Sequence, residues 1–275
     1  MITGRIGKRI TAAIAGVSLA LTAGAAVAAQ CGNGPEGFDR WLGEFRREAA
    51  AAGIRPQVID AALAGVSYDR RVIGLDRNQR HFKVSFEQFI KNRVTAGRIS
   101  KGRQMLRTYA GVLQRIESRY GVPPEILVAI WGMETDYGAV RGNMPVFRSL
   151  ATLAYDCRRS AFFTGQLMDA LRIVQRGDLS PHEMRGAWAG EIGQAQFLPS
   201  SYYRYAVDFD GDGHADLIRS APDTLASIAN YLRAHGWVRG AGYHPGQPNF
   251  PVMREWNRAE VYARALGYFA DRLRN

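Results

Sequence analysis

A mainly α fold with little β structure is what this sequence predicts, and three observations predict it. Apolar residues recur at helical spacing along almost the whole chain. No alternating apolar and polar run of four or more residues is convincing as a strand. Prolines and capping residues open the periodic runs, and glycines close them.

Phe38, Trp41, Leu42 and Phe45 fall at i, i+3, i+4 and i+7, and their run stops at Gly53. Pro56 marks the first turn of the next helix. Met105, Tyr109, Val112, Leu113 and Ile116 repeat the pattern after Ser100 and stop at Gly121, which predicts one helix across that span. Pro124 opens another, and Ser180-Pro181-His182-Glu183 has the form of a capping box with proline at the first helical position. Further helices are read over 162–174, over 224–234 and, after Asn257, over 258–273. Glycine, proline and aromatic residues interleave over 185–223 and 236–251, the loop territory where binding sites tend to lie. There is no internal repeat and no low-complexity linker.

The 275 residues carry 36 Lys and Arg against 25 Asp and Glu, a formal charge of +11, with 47% hydrophobic and 22% charged residues. That composition excludes a disordered or collagen-like chain. The positive charge attracts polyanions, whether nucleic acid, anionic lipid or acidic wall polymer, without choosing among them. Two cysteines, Cys31 and Cys157, are too few for a disulfide scaffold or a cysteine-based zinc site.

Residues 1–29 hold Arg5, Lys8 and Arg9 and no acid, then an uncharged stretch rich in Ala, Leu and Gly that ends AGAAVAA. This order is that of a cleaved secretory signal, with cleavage after Ala28 or Ala29. A membrane anchor is the competing reading, but a span needs about 20 apolar residues. Here Gly16, Ser18, Thr22 and Gly24 interrupt the run. Gln30, not a small residue, precedes Cys31, which argues against a lipid anchor. The mature chain, 30–275, is expected to be soluble, periplasmic and without a stable membrane anchor, with no appended wall-binding module after Leu273. Export makes a Cys31–Cys157 disulfide chemically allowed, with two inert buried thiols as the alternative.

In VPPEILVAIWGMETDYG, residues 122–138, Glu134 is the only charge between Glu125 and Asp136. Leu127, Ile130 and Trp131 precede it by seven, four and three residues and share its helix face, so Glu134 should be partly desolvated. Burial raises a carboxyl pKa, which suits a general acid at neutral pH. On this pattern alone, a Glu that ends a core helix and caps something polar is the simpler reading. Asp136 is a poor second carboxylate, because residues two apart on a helix diverge.

DFDGDGHAD places Asp208, Asp210 and Asp212 at alternate positions, Gly213 at loop position six and Asp216 at nine. Carboxylates at odd positions of a loop turning at Gly converge on one hard cation, as in an EF-hand. His214, at position seven, would offer its backbone carbonyl. Position twelve is Arg219 rather than Glu, so a closing ligand must come from elsewhere, Asp223 being nearest. A structural Ca²⁺ is expected, with a metal-free surface turn as the alternative; no organic cofactor is expected.

From about Phe38 to Leu273 the chain resembles the lytic murein transglycosylase B family, periplasmic enzymes with a lysozyme-like fold that cleave peptidoglycan. The resemblance rests on GVPPEILVAIWGMETDYG, AGEIGQAQFLPSSYYRYAVDFDGDGHADL and SIANYLRAHGW, in that order. It implies that Glu134 is the acid and base, that Gln196, Tyr231, Trp256, Asn257 and Tyr262 meet the sugar, and that the DFDGDG loop binds calcium with help from Asp223. It also implies glycan strands as the partner; the oligomeric state is left open, with a monomer expected. Three positions depart from the pattern. Ala187 stands where better-known members have a Ser near the acid, and Phe89 where a groove Tyr would be. Glu191 replaces a small residue, either as a second carboxylate in the active-site region or as a harmless exposed charge.

The implied reaction is a single-carboxylate one, in which the muramic sugar's own C6 hydroxyl closes a 1,6-anhydro ring. Two alternatives are a muramidase that uses water and recruits Glu191 or another acid, and a non-catalytic wall-binding protein. Export and the lack of a recognised motif argue against nucleic acid as a partner.

Overall fold

The computed structural model describes residues 29–78 and 84–274, so the export signal read over 1–29 lies, but for Ala29, outside the described residues. Thirteen helices and one two-stranded sheet are the regular elements of the described residues. The class is therefore mainly α.

Two helical groups share the core. The first contains α1 (Phe38–Ala51), α2 (Pro56–Leu63), α3 (Arg70–Arg77), α8 (Val146–Tyr155) and α9 (Ser160–Arg176). The second contains α4 (Phe86–Arg93), α5 (Ala96–Thr108), α6 (Ala110–Tyr120), α7 (Pro124–Thr135), α11 (Ala221–Ala234), α12 (Phe250–Trp256) and α13 (Glu260–Arg274). The short α10 (Pro199–Tyr205) packs against both α9 and α11. Strands β1 (Met144–Pro145) and β2 (Arg185–Gly186) pair antiparallel, Met144 opposite Gly186.

Helix α1 forms as its periodicity requires: Phe38, Trp41, Leu42 and Phe45 are all buried, and Trp41 stacks on Phe45 with ring centroids 5.6 Å apart. Helix α7 goes further than its sequence face suggested. Besides Leu127, Ile130 and Trp131, it buries Val128 and Ala129, so the helix is enclosed on all sides by α5, α6, α11 and α13. A helix apolar all round is one that runs through a core.

Three features differ from the sequence expectation. The helix expected between Ser100 and Gly121 is two, because the chain bends at Tyr109, which has φ −104° and ψ 18°. There its ring packs edge-on to Trp131, 5.7 Å between centroids, and tertiary contact overrides the periodic pattern. The Ser180–Glu183 capping box makes its side-chain bonds, with Glu183 Oε2 accepting from Ser180 N at 2.8 Å, yet it closes a single turn and no helix follows. Helices α3, α4, α8, α10 and α12 were not read. The first two show too few buried apolar positions to form a stripe, α8 is buried along its whole length, and α10 and α12 have only seven residues each.

Cys31 and Cys157 are joined in a disulfide 126 residues apart in sequence. Gly32 N donates to Tyr155 O at 2.9 Å and Cys157 N to Gly32 O at 3.1 Å, so the segment around Gly32 is tied to the end of α8. In the chain-entropy picture a cross-link closing so long a loop contributes up to about 4–5 kcal/mol. Unreduced protein, denatured and treated with an alkylating agent, should gain no label, and reduction should lower its melting temperature. Two labelled cysteines before reduction would contradict the bond.

Candidate active site

Glu134 occupies the last turn of α7, where the enclosed helix meets an open cleft. Its Oε1 accepts two hydrogen bonds, from Tyr262 OH at 2.6 Å and Trp256 Nε1 at 2.9 Å. Among the described residues Oε2 has no partner, so one oxygen is held and the other is presented to the cleft. Burial pushes the carboxyl pKa above its ordinary value; the bonds from Tyr262 and Trp256 and the charge of Arg93 pull part of the way back. Tyr262 is buried beside this carboxyl, which drives its phenol far above the ordinary range and keeps it a donor throughout.

What holds Glu134 in place comes from the chain on either side. After Thr135, Asp136 and Tyr137 take left-handed backbone conformations, φ 52° and 61°, that end the helix. Asp136 is turned away to Arg98, at 3.3 Å, and Lys101, and has no part in the cleft. Tyr137 folds back so that its ring lies over Gly132, where any Cβ would meet it at 2.7 Å. Its hydroxyl donates to Arg98 O at 2.7 Å.

Gln194 is the central brace. Its side-chain oxygen accepts from Trp131 Nε1 at 2.9 Å and its amide donates to Ile218 O at 3.1 Å. Its backbone carbonyl accepts from Thr135 Oγ1 and its backbone N–H donates to Leu217 O, both at 2.7 Å. The segment around it folds on itself, with Ile192 and Phe197 exchanging backbone bonds of 2.8 and 3.1 Å. Gly186 packs against the carbonyl of Glu191 so closely that no side chain fits.

Two cavities meet at Glu134 and Asn257. The larger, about 1090 Å³, includes Phe89, Asn92, Arg93, Trp188 and Tyr262; the smaller, about 390 Å³, includes Ala187, Glu191, Gln196, Tyr231 and Trp256. The structure thus brings together Glu134, Phe89, Gln196, Tyr231, Trp256, Asn257 and Tyr262. Their placements differ. Gln196, itself at φ 51°, donates its amide to Gly193 O and Arg141 O, at 2.9 and 3.1 Å. Tyr231 donates to Glu255 O and stacks on His235, backing Trp256 from below, and burial pushes its phenol up to about 12. Phe89 sets its ring edge against Tyr262. Asn257, which lines both cavities, has its Oδ1 held by Ala259 N at 3.0 Å.

Glu191 is not the harmless exposed charge that one reading allowed. It is half-buried in the smaller cavity, Ala189 N donating to its Oε2 at 3.2 Å, and burial with the nearby charge of Glu134 raises its pKa. Arg93, Trp188 and Gln194 were missed. Gln194 stood in plain view two residues before Gln196, but nothing local distinguishes a brace from a ligand.

Away from the cleft, Asp208, Asp210 and Asp212 each bring a carboxylate oxygen within 4.8 Å of the others. Asp208 bonds Gly211 N and Gly213 N, and Asp212 bonds His214 N, folding the loop around the group. Asp223 stands apart. It is buried behind the loop, and its two oxygens accept from Phe209 N, Asp210 N and Asp216 N. Asp216 Oδ1 accepts from Ile218 N and Arg219 N. An all-oxygen donor set crowded by like charge fits a hard cation such as Ca²⁺.

Residues 37–245 match the family described as Transglycosylase SLT domain. The chain is 40% identical over 170 residues to membrane-bound lytic murein transglycosylase B of Escherichia coli (strain K12), a match covering 59% of this chain and 47% of that protein. It thus spans about half the length of that curated relative. Among solved structures, SltB3 of Pseudomonas aeruginosa in complex with NAG-anhNAM-pentapeptide is similar at TM-score 0.82 and 34% identity, over 87% of this chain and 80% of that one. The Escherichia coli lytic transglycosylase Slt35 in complex with calcium is similar at TM-score 0.75 and 27% identity, over 90% and 96%.

Proposed function

The chain belongs to the transglycosylase SLT domain family, and from that premise we propose that it is a periplasmic lytic transglycosylase. It cleaves the β-1,4 bond between N-acetylmuramic acid and N-acetylglucosamine in peptidoglycan and leaves a 1,6-anhydro end. The observation that carries this reading is the setting of Glu134: a carboxyl whose pKa burial raises, gripped on one oxygen by Tyr262 and Trp256, with no partner on the other among the described residues.

In the first step Glu134 gives its proton to the glycosidic oxygen as the C1–O bond breaks, while the 2-acetamido group of the muramic sugar assists at C1. The bonds from Tyr262 and Trp256 strengthen as the carboxylate becomes charged. In the second step the carboxylate takes the proton of the C6 hydroxyl, whose oxygen bonds to C1. The proton lost in the first step is recovered in the second, and no water is consumed. Asn257, lining both cavities, would bond sugar hydroxyls, and Trp188 and Trp256 would offer apolar ring faces to sugars. SltB3 is crystallised with a peptidoglycan fragment carrying the anhydro sugar, which supports the same product here.

Glu191 gives the water-using muramidase its one supporting observation, a second carboxylate in the cleft. The products separate the two readings: hydrolysis leaves an ordinary reducing end.

Residues 30–275 are proposed to act as one catalytic region, exported by the signal at 1–29. Among the described residues no helix is long and apolar enough to cross a membrane. Asp208, Asp210 and Asp212 would hold Ca²⁺, with His214 contributing its carbonyl and Asp223 securing the loop backbone. The calcium complex of Slt35 supports this. Its contribution would be structural, since the loop lies outside the cleft.

Glu134→Gln should lower digestion of purified sacculi by about 10⁴-fold, the upper end for a general acid and base, with mass spectrometry of wild-type products showing anhydro ends. Activity of the variant within about tenfold of wild type would remove Glu134 from the acid role, and ordinary reducing ends would replace transglycosylation by hydrolysis.

Calcium added to metal-stripped protein should raise the melting temperature by linkage, and the double change Asp210→Ala, Asp212→Ala should erase the rise. Identical melting curves in calcium and in chelator would leave the loop a plain turn.

A further inference from the structure

The smaller cavity contains a group for which the proposed reaction has no use. Glu191 lines it together with Glu134, and both are half-buried. The backbone of Glu191 is locked: its carbonyl accepts from Ala187 N at 3.1 Å and presses on Gly186, and the neighbouring Ile192 pairs with Phe197. Its side chain is anchored through Oε2, to Ala189 N at 3.2 Å, and feels its own backbone N–H, while Oε1 makes no hydrogen bond to another described residue. Glu134 is arranged the same way, one oxygen held and one without a partner. Ala187, with no polar atom in its side chain, lines the same cavity.

From this arrangement we propose that Glu191 is a positioning residue for the proton of Glu134: the two carboxyl groups share one proton across the neutral range, and Glu191 thereby keeps Glu134 in its acid form to higher pH than it would hold alone. The proposal rests on Glu134 being the acid, as argued above.

The surrounding charges permit the sharing. Arg159, at the start of α9, is the cation nearest to Glu191 in effect, but its guanidinium is paired with Asp76. Glu255 of α12, also lining the cavity, adds negative charge. Glu134 is faced by Arg93 from α4, by the phenol of Tyr262 from α13 and by the indole of Trp256, and only the first of these is a cation. Among the described residues no Lys or Arg lines the smaller cavity that the two carboxyls share. Two carboxyls in one low-dielectric cavity cannot both ionise easily, so the pair gives up its first proton readily and its second with difficulty. Burial and the charge of Glu134 both raise the pKa of Glu191, as such a pair requires.

The sign follows. The reaction needs a proton on Glu134, and the singly protonated pair supplies it until the second ionisation. With Gln at position 191 the proton depends on Glu134 alone, which releases it at lower pH.

The test is the pH profile of kcat and KM for release of anhydro products from sacculi, for wild type, Glu191→Gln and Glu191→Asp. Glu191→Gln should move the alkaline limb down by about one pH unit, a tenfold loss of rate above it. KM and the acid-side rate should change less than about threefold, and Glu191→Asp should restore much of the limb. Coincident limbs, or a uniform loss of rate with the limb in place, would overturn the proposal. Activity in Glu134→Gln would instead overturn the functional reading on which it rests. Melting curves of the variants separate a shift of the limb from loss of fold.

Discussion

Everything in the cleft depends on Gln194, whose four polar groups are all used in holding three segments together. The residue is 5% exposed, and in that setting each unmade bond would leave a desolvated donor or acceptor, costing about 1–3 kcal/mol. Its side chain fixes Trp131, its carbonyl fixes Thr135, and its two N–H-bearing groups fix Leu217 and Ile218 at the end of the acidic loop. Glu134 sits between Trp131 and the helix end on one side and Thr135 on the other. Glu134 is thus immobilised by a residue that does not touch it. The same brace joins the acidic loop to α7, so a cation bound at Asp208, Asp210 and Asp212 would stiffen the floor on which Glu134 rests.

The second constraint is the one imposed on the carboxyl itself. Burial alone would leave it neutral and useless as a base; two strong donors alone would leave it charged and useless as an acid. The structure applies both, burial from the surrounding core and donation from Tyr262 and Trp256. A group serving as acid and then base in one turnover requires such a balance. The donors come from α13 and from the end of α12, so the C-terminal helices complete a site whose carboxyl lies more than a hundred residues earlier.

Much of this was legible in the sequence, for physical reasons. Glu134 stood out as one charge inside a long apolar helix, though that pattern alone favoured a helix-ending cap and only the family resemblance gave it a catalytic role; Asp208, Asp210 and Asp212 stood out because alternating carboxylates around Gly213 repel unless something binds them. Helices α1 and α7 were readable because their burial is written in apolar residues. What was not legible is what depends on partners distant in sequence. Nothing near Trp256 says that its indole reaches Glu134, 122 residues away. Gln194 and Gln196 are indistinguishable until one is seen to face the core and the other the cleft. The bend at Tyr109 is decided by Trp131, and the burial of Glu191 by a loop whose backbone contacts no periodicity reveals.

The central claim is that Glu134 is a carboxyl raised by burial and restrained by two donors. Carbon-13 NMR of the glutamate side-chain carboxyls, with Glu134 assigned by its loss in Glu134→Gln, tests it directly. The resonance should titrate above the ordinary carboxyl range, and Tyr262→Phe, which removes a bond to the charged form, should move the midpoint higher still. A midpoint at or below the ordinary range, or one that falls in Tyr262→Phe, would contradict the account.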